Sequence, residues 1–396
     1  MSLNNTPSSE RIQIGFFGKT NAGKSSLINA ITGQEISLVS DVKGTTTDPV
    51  KKAMELLPLG PVTLIDTPGL DDDSQLGQLR QKRTLEILQQ IHIGIIVVDA
   101  SEGITELEVE LEEQLKKEHI PYLYAYNKID LLQNNKYVEE KEIIVSVSTK
   151  TKENINFLKE KIASLKVIRE EKKLVADLLQ PGDHVLLVIP IDKAAPKGRL
   201  ILPQQQTIRD ILDANCTLSI CQVKNVKSTL AMLGVPPKLV ITDSQAFGKV
   251  KDLVPEDIKM TSFSILFARY KGDLEGNVKG AYVIEDLKDG DKVLISEGCT
   301  HHRQCGDIGT QKLPNWIMKH TGKRIQFEFT SGSDFPMDLS SYKLVIHCGA
   351  CMLNEKQMQE RIRIAKDQAI PMTNYGIAIA YLNGILKRSI EPLGMK

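Results

Sequence analysis

Residues Gly18 to Ser25 read G-K-T-N-A-G-K-S, a match to the phosphate-loop pattern G-x-x-x-x-G-K-[ST]. The apolar run Ile12–Phe17 before it reads as a buried strand, and Ser26–Ile31 after it has helical spacing. In a strand, glycine-rich turn and helix of this kind, backbone N–H groups converge on phosphate oxygens, and loop side chains would block that approach. Gly18, Asn21, Ala22, Gly23, Lys24 and Ser25, with Ser26 opening the helix, are therefore candidate nucleotide-binding residues. Lys24 would reach the β- and γ-phosphates, and the Ser25 hydroxyl would hold Mg2+.

This unit fills only the start of 396 residues, a length that predicts two or three domains. The chain is 41% hydrophobic and 25% charged, an ordinary balance for a soluble globular protein. Fifty basic residues offset fifty acidic ones, so no overall field favours nucleic acid or an anionic membrane. Met1–Glu10 is polar and unlike a signal peptide, and no apolar run is long enough to span a bilayer. A cytoplasmic location is expected, where disulfides are rare, so the six cysteines are read as metal ligands or buried thiols.

Further strand-like runs follow the loop. Val62–Ile65 ends in Asp66-Thr67-Pro68-Gly69, and Ile93–Asp99 is apolar throughout. Tyr122–Tyr126 ends in Asn127-Lys128-Ile129-Asp130, and Ile143–Val147 ends in Ser148-Thr149-Lys150. Helical patterns at Gly77–Gln90 and Thr105–His119 lie between them, so the alternation predicts an α/β fold with a mostly parallel sheet. These strings resemble the motifs of the small GTPase fold, nearest to the Era and MnmE branch. The resemblance implies GTP, with Asp66 ordering Mg2+ through water and Gly69 donating its N–H to the γ-phosphate. It implies that Asp130 accepts the N1–H and amine of guanine, that Asn127 and Lys128 brace base and loop, and that the Thr149 N–H meets guanine O6. Asp41–Asp48 resembles the first switch, with Thr46 as its Mg2+ ligand. Lys24, Thr46, Asp66 and Gly69 are thus the expected catalytic set.

Leu70 stands where Ras-type GTPases keep a water-orienting glutamine, so turnover is expected to be slow. Asn21 matches an asparagine that some members use to hold K+, which implies K+ stimulation. Asp71-Asp72-Asp73 reads as a solvated part of the second switch rather than a metal site.

From Lys166 to Lys173 the sequence turns highly charged and reads as a helical linker. A new alternation follows: a strand over Asp183–Ile191, a helix over Pro203–Leu212, a strand over Lys238–Thr242 and a helix from Asp243 toward Val254, closed by the apolar run Phe263–Phe267. Cys216 and Cys221 read as buried thiols and His184 as structural. With no catalytic constellation, this middle part is expected to be an assembly surface.

In the last part, Lys292–Ser296 runs into Gly298-Cys299-Thr300-His301-His302, and Tyr342–Ile346 runs into His347-Cys348-Gly349-Ala350-Cys351. Parallel neighbouring strands would bring both loops to one sheet edge. The residues alone leave open buried thiols, a Cys348–Cys351 redox pair, a structural zinc or an iron–sulfur cluster.

A GTPase domain, a middle domain and a final C-x-H…H-C-x-x-C constellation resemble the HydF family of FeFe-hydrogenase maturation GTPases. That resemblance implies a 4Fe-4S cluster on Cys299, Cys348 and Cys351, with His301 and His347 as ligands or second-shell donors. It implies a homodimer or higher oligomer that carries a transient diiron precursor made with radical-SAM maturases and passes it to apo FeFe-hydrogenase. Cys305 lies outside the signature, and a four-thiolate site including it would hinder such a carrier. The expected domains are a P-loop GTPase domain (1–165), a small α/β dimerisation domain (166–270) and an α/β iron–sulfur cluster-binding domain (271–396). The alternative is an Era/MnmE-like RNA-associated GTPase with a zinc-binding domain, which the neutral charge disfavours.

Overall fold

A computed structural model describes residues 6–7, 9–33, 50–67, 87–132, 142–167, 172–191, 200–298, 307–332 and 334–395. The chain forms two compact units, Met1–Glu170 and Glu171–Lys396.

In the first unit, β1 (Ile12–Phe17), β2 (Lys51–Leu56), β3 (Gly60–Asp66), β4 (Ile93–Asp99), β5 (Tyr122–Asn127) and β6 (Ile144–Ser146) form a sheet in the order β2-β3-β1-β4-β5-β6. All neighbours are parallel except the edge pair β2–β3. β1 is buried along its whole length, as a strand covered on both faces must be. Phe16 packs into one core with Leu27, Ile31 and Leu158, and Phe17 into another with Ile91, Leu111 and Tyr124. The register sets Phe16 opposite Asp66 and Asp99 opposite Asn127, so the motif residues share one sheet edge. Helices α1 (Lys24–Thr32), α2 (Glu106–Lys117) and α3 (Ile155–Ser164) cover the faces. Most of the helix expected at Gly77–Gln90 lies outside the described residues. Of the charged stretch 166–173, residues 166, 167, 172 and 173 are described and are not helical; the rest of the expected helical linker lies outside the described residues.

The second unit holds two sheets of four strands. The first contains β7 (His184–Val188), β8 (Thr217–Cys221), β9 (Leu239–Thr242) and β10 (Met260–Ser262), in the order β10-β9-β7-β8. Its longer helices are α4 (Leu202–Asp213), α5 (Val226–Leu233) and α6 (Phe263–Lys271), with a single short turn of helix at Phe247–Val250. Then come α7 (Leu274–Tyr282), β11 (Lys292–Glu297), α8 (Leu313–Thr321), β12 (Gln326–Ser331), β13 (Leu344–His347), α9 (Glu355–Asp367), β14 (Met372–Asn374) and α10 (Tyr375–Leu382). The second sheet is ordered β12-β11-β13-β14.

Both sheets are wholly parallel. Read outward from its first strand, each has the same order of second, first, third, fourth. The hydrogen bonds repeat as well. Asp183 accepts from the Gln180 N–H, and Asp291 from the Lys288 N–H, both at 2.8 Å. The Thr217 N–H donates to Asp183 O, and the Gln326 N–H to Asp291 O, both at 2.9 Å. The sequence carries the same echo: Gly182-Asp183-x-Val185-Leu186 against Gly290-Asp291-x-Val293-Leu294, Lys238–Ile241 against Lys343–Ile346, and Met260-Thr261 against Met372-Thr373. One βα unit is used twice. The copies share a core in which Leu186, Val240 and Ile265 meet Val293, Ile346 and Ile377.

The closing apolar run Phe263–Phe267 is the start of α6, because Ser262 Oγ accepts the Ile265 N–H at 3.2 Å and caps a helix. Asn374 Oδ1 caps α10 in the same way, from the Ile377 N–H at 2.8 Å. Gly376 permits the two helices to touch, since a Cβ there would lie 2.5 Å from Ser264 Cβ. His184 bridges β7 to β8 through the Thr217 and Ser219 hydroxyls, and Cys216 is buried while Cys221 is half-buried.

Candidate functional site

At the carboxyl edge of the first sheet, Gly18 and Gly23 are required by close approach. A Cβ on Gly18 would lie 2.2 Å from Val97 O, and one on Gly23 would lie 2.1 Å from Asn127 Nδ2. Asn127 is fully buried; its Nδ2 donates to Ala22 O at 3.1 Å and its Oδ1 accepts the Thr149 N–H at 3.2 Å. One side chain thus ties the phosphate loop to the loop after β6. The Thr149 N–H expected to meet guanine O6 makes its hydrogen bond to Asn127 here. Lys128 pairs with Asp99 at 2.7 Å, and Ser148 Oγ donates to Asp130 Oδ1 at 2.6 Å, with Lys150 4.0 Å from its other oxygen. Lys24 is buried, its ammonium donating to Gly18 O and Lys19 O at 2.9 and 2.7 Å. Asn21 is exposed with φ 63°, while Ser26 is exposed on the first turn of α1.

Ser25 Oγ donates to Asp66 Oδ2 at 2.5 Å, while Asp66 Oδ1 is buried with no hydrogen-bond partner among the described residues. A hydroxyl beside an orphaned carboxylate oxygen at a phosphate loop fits Mg2+, a hard cation that takes oxygen ligands. Burial raises the Asp66 pKa, against the lowering pull of the Ser25 hydrogen bond and of Lys24. The folded chain therefore holds this proton to higher pH than the unfolded chain does. The ionised group costs stability above its raised pKa and not below its unfolded value. Without nucleotide or metal, Asp66→Asn should therefore stabilise the protein at neutral pH by on the order of 1 kcal/mol, the cost of an unsatisfied buried group. The difference should close as pH falls through the raised pKa; a melting temperature at or below wild type at neutral pH would contradict this. Thr46, Gly69, Leu70 and Asp71–Asp73 lie outside the described residues.

In the second unit, β11 and β13 are parallel neighbours with Ser296 opposite His347, so the loops after them leave the same edge. The Gly298 N–H donates to Cys348 Sγ at 3.1 Å, and the Ala350 N–H to the same sulfur at 3.5 Å. Burial pushes the Cys348 thiol up to about 11 and that of Cys351 upward too; the two amides oppose the first shift and Lys271 the second. A sulfur in an apolar setting with backbone donors aimed at it fits a metal-held thiolate, because a coordinating metal deprotonates a thiol outright. Cys299, His301, His302 and Cys305 lie outside the described residues. Among the described residues, no group of three or more His, Cys, Asp or Glu side chains is placed to hold a metal.

His347 is fully buried, with both ring nitrogens engaged: Nδ1 lies 2.8 Å from Cys348 O, and Nε2 lies 2.7 Å from an Arg361 N–H. Burial first, and then Arg361, lowers its pKa to about 3, so the imidazole is neutral. Sequence reasoning missed Arg361. It lies on the buried stripe of α9 with Met358, Ile362 and Ala365, where a cation is out of pattern. It also missed Glu297, buried beside Cys348 and accepting from Tyr375 Oη at 3.2 Å.

Fold and first site together define a P-loop GTPase domain joined to a duplicated α/β unit with a cysteine loop. The 50S ribosome-binding GTPase family model matches residues 13–128. The hydrogen maturase F dimerization domain matches residues 174–272, and the hydrogen maturase F tetramerization domain residues 275–392, together more than half of the chain. The chain belongs to the hydrogen maturase F family. GTPase Der of Helicobacter hepaticus is 40% identical over 147 residues, 36% of this chain and 29% of its own length. The tRNA modification GTPase MnmE of Nitrosomonas europaea is 36% identical over 132 residues, 33% of this chain and 29% of its own. The chain thus spans less than a third of either relative. A crystal structure of Aquifex aeolicus Era aligns at 21% identity with a TM-score of 0.35, covering 53% of this chain and 92% of that one. Among the described residues no helix is long and apolar enough to cross a membrane.

Proposed function

We propose that the chain is a GTP-hydrolysing scaffold for FeFe-hydrogenase maturation, which receives a diiron precursor beside a 4Fe-4S cluster and delivers it to apo-hydrogenase. The observation that carries this reading is the Gly298 N–H on Cys348 Sγ at 3.1 Å, which brings the chain entering Cys299 against the Cys348–Cys351 loop. Cys299, Cys348 and Cys351 would hold the cluster. Three thiolates leave one iron with an exchangeable position, and that is the chemistry the cluster supplies to a carrier. His347 acts through the fold, with its ring fixed between Cys348 O and Arg361. The chain works as a homodimer or higher oligomer in the cytoplasm, with radical-SAM maturases building the precursor. Protein loaded in their presence without oxygen should activate apo-hydrogenase on mixing, read as hydrogen evolution. Activation equal to that by chain expressed without them would contradict the scaffold.

In the GTPase domain, Lys24 neutralises the β- and γ-phosphates, while Ser25, Thr46 and Asp66 hold Mg2+ and Gly69 senses the γ-phosphate. Asn127, Lys128, Asp130, Ser148, Thr149 and Lys150 form the guanine pocket. Leu70 cannot orient water, so turnover is slow, and K+ held through Asn21 supplies the positive charge. Hydrolysis should run several-fold faster in K+ than in Na+, and Asn21→Ala should remove the difference. Equal wild-type rates in the two salts would refute K+ activation.

A further inference from the structure

Arg361 is 6% exposed, yet among the described residues no carboxylate hydrogen-bonds to it. Its guanidinium donates to Ser296 Oγ at 3.3 Å, to His347 Nε2 at 2.7 Å and to Gly332 O, and lies 5.0 Å above the Phe335 ring. These partners are neutral. The charged or titratable groups that act on it from the surrounding elements are Cys348 and Asp334, and Asp334 is exposed and forms no ion pair with it. A guanidinium stays charged at neutral pH. A buried cation without an anion is costly enough that proteins pair or remove it.

The internal repeat has a different turn at the position of the cysteine loop. In the first copy the strand corresponding to β13 is β9, which runs into Asp243-Ser244 where the second copy has Cys348-Gly349. There Gln204 Nε2 donates to Asp243 Oδ2 at 3.0 Å. Cys348, Cys351 and Arg361 all lie in the second copy.

We propose that Arg361 is a fixed counter-charge of the cysteine loop, a positioning residue that holds His347 and raises the reduction potential of the anionic cluster bound at Cys348. The inference rests on the cluster reading given above. A thiolate-bound cluster is anionic and gains a further negative charge on reduction, so a nearby fixed cation favours the reduced form. Phe335 and the buried β11 and β13 ends keep water from screening that charge.

The test uses the full chain purified and reconstituted without oxygen, as wild type, Arg361→Gln and Arg361→Lys. Iron and sulfide are measured first, then the midpoint potential by titration followed with EPR, and the melting temperature of the metal-free proteins. Arg361→Gln should bind iron as wild type does but disfavour the reduced cluster about tenfold, a fall of about 59 mV for a one-electron couple. Arg361→Lys, which keeps the charge, should recover most of that shift. The metal-free Gln variant should melt no lower than wild type. An unchanged potential in Arg361→Gln, or a metal-free Gln variant that fails to fold, would overturn the proposal and leave Arg361 a structural residue. Wild-type protein that takes up no iron would instead defeat the cluster reading itself, a separate outcome.

Discussion

Replacing Asp130 by asparagine should weaken GTP binding by about two to three orders of magnitude. The carboxylate is positioned by Ser148 at 2.6 Å, beside a loop tied to the phosphate loop through Asn127. From there it can accept both the N1–H and the exocyclic amine of guanine. Each charge-assisted hydrogen bond contributes about 1.5–3 kcal/mol, and each 1.4 kcal/mol is about tenfold in affinity. Xanthosine triphosphate, which has a carbonyl where guanine has its amine, should bind the Asn variant better than GTP does, because an amide N–H can donate to it. Titration with a fluorescent guanine nucleotide, followed by competition with the xanthine analogue, reads both effects. Wild-type affinity in Asp130→Asn would remove the guanine assignment.

The second large effect concerns the cysteine loop. Cys348→Ala should reduce iron in anaerobically reconstituted protein from about four atoms per chain to less than about one, because two remaining thiolates do not retain the cluster. Its sulfur receives two backbone N–H groups, an arrangement that an alanine leaves without an acceptor. Cys216→Ala is the control. That thiol lies in the core of the first copy, its Sγ donating to Gln180 O at 3.1 Å, and its loss should leave iron unchanged. Full iron retention by Cys348→Ala would exclude it as a ligand.

The parts legible in the sequence are those where chemistry restricts the residue type. Gly18 and Gly23 are readable because a Cβ at either would strike backbone or Asn127. Asp66, Asn127 and Asp130 are readable because each lies at or just beyond the end of a buried strand. Phe263–Phe267 stayed without an element type because a short apolar run fits a strand or a buried helix alike, and only the Ser262 cap decides between them. β8 escaped notice because, at the sheet edge, it is half polar and largely unburied. The duplication was legible in the twice-used Lys-Leu-Val-Ile, but divergent loops separate the two copies. Arg361 was hidden in a helix rich in charge, where only its place on the buried stripe marks it.

The central claim is that the GTPase domain serves a metal carrier, and metal analysis of the protein purified without oxygen tests it most directly. Iron, sulfide and zinc are measured on the same sample as its visible spectrum. The account predicts about four irons and about four sulfides per chain, with a broad absorbance that bleaches on reduction. Stoichiometric zinc without iron would contradict it and would fit a zinc-bearing relative of the RNA-associated GTPases instead.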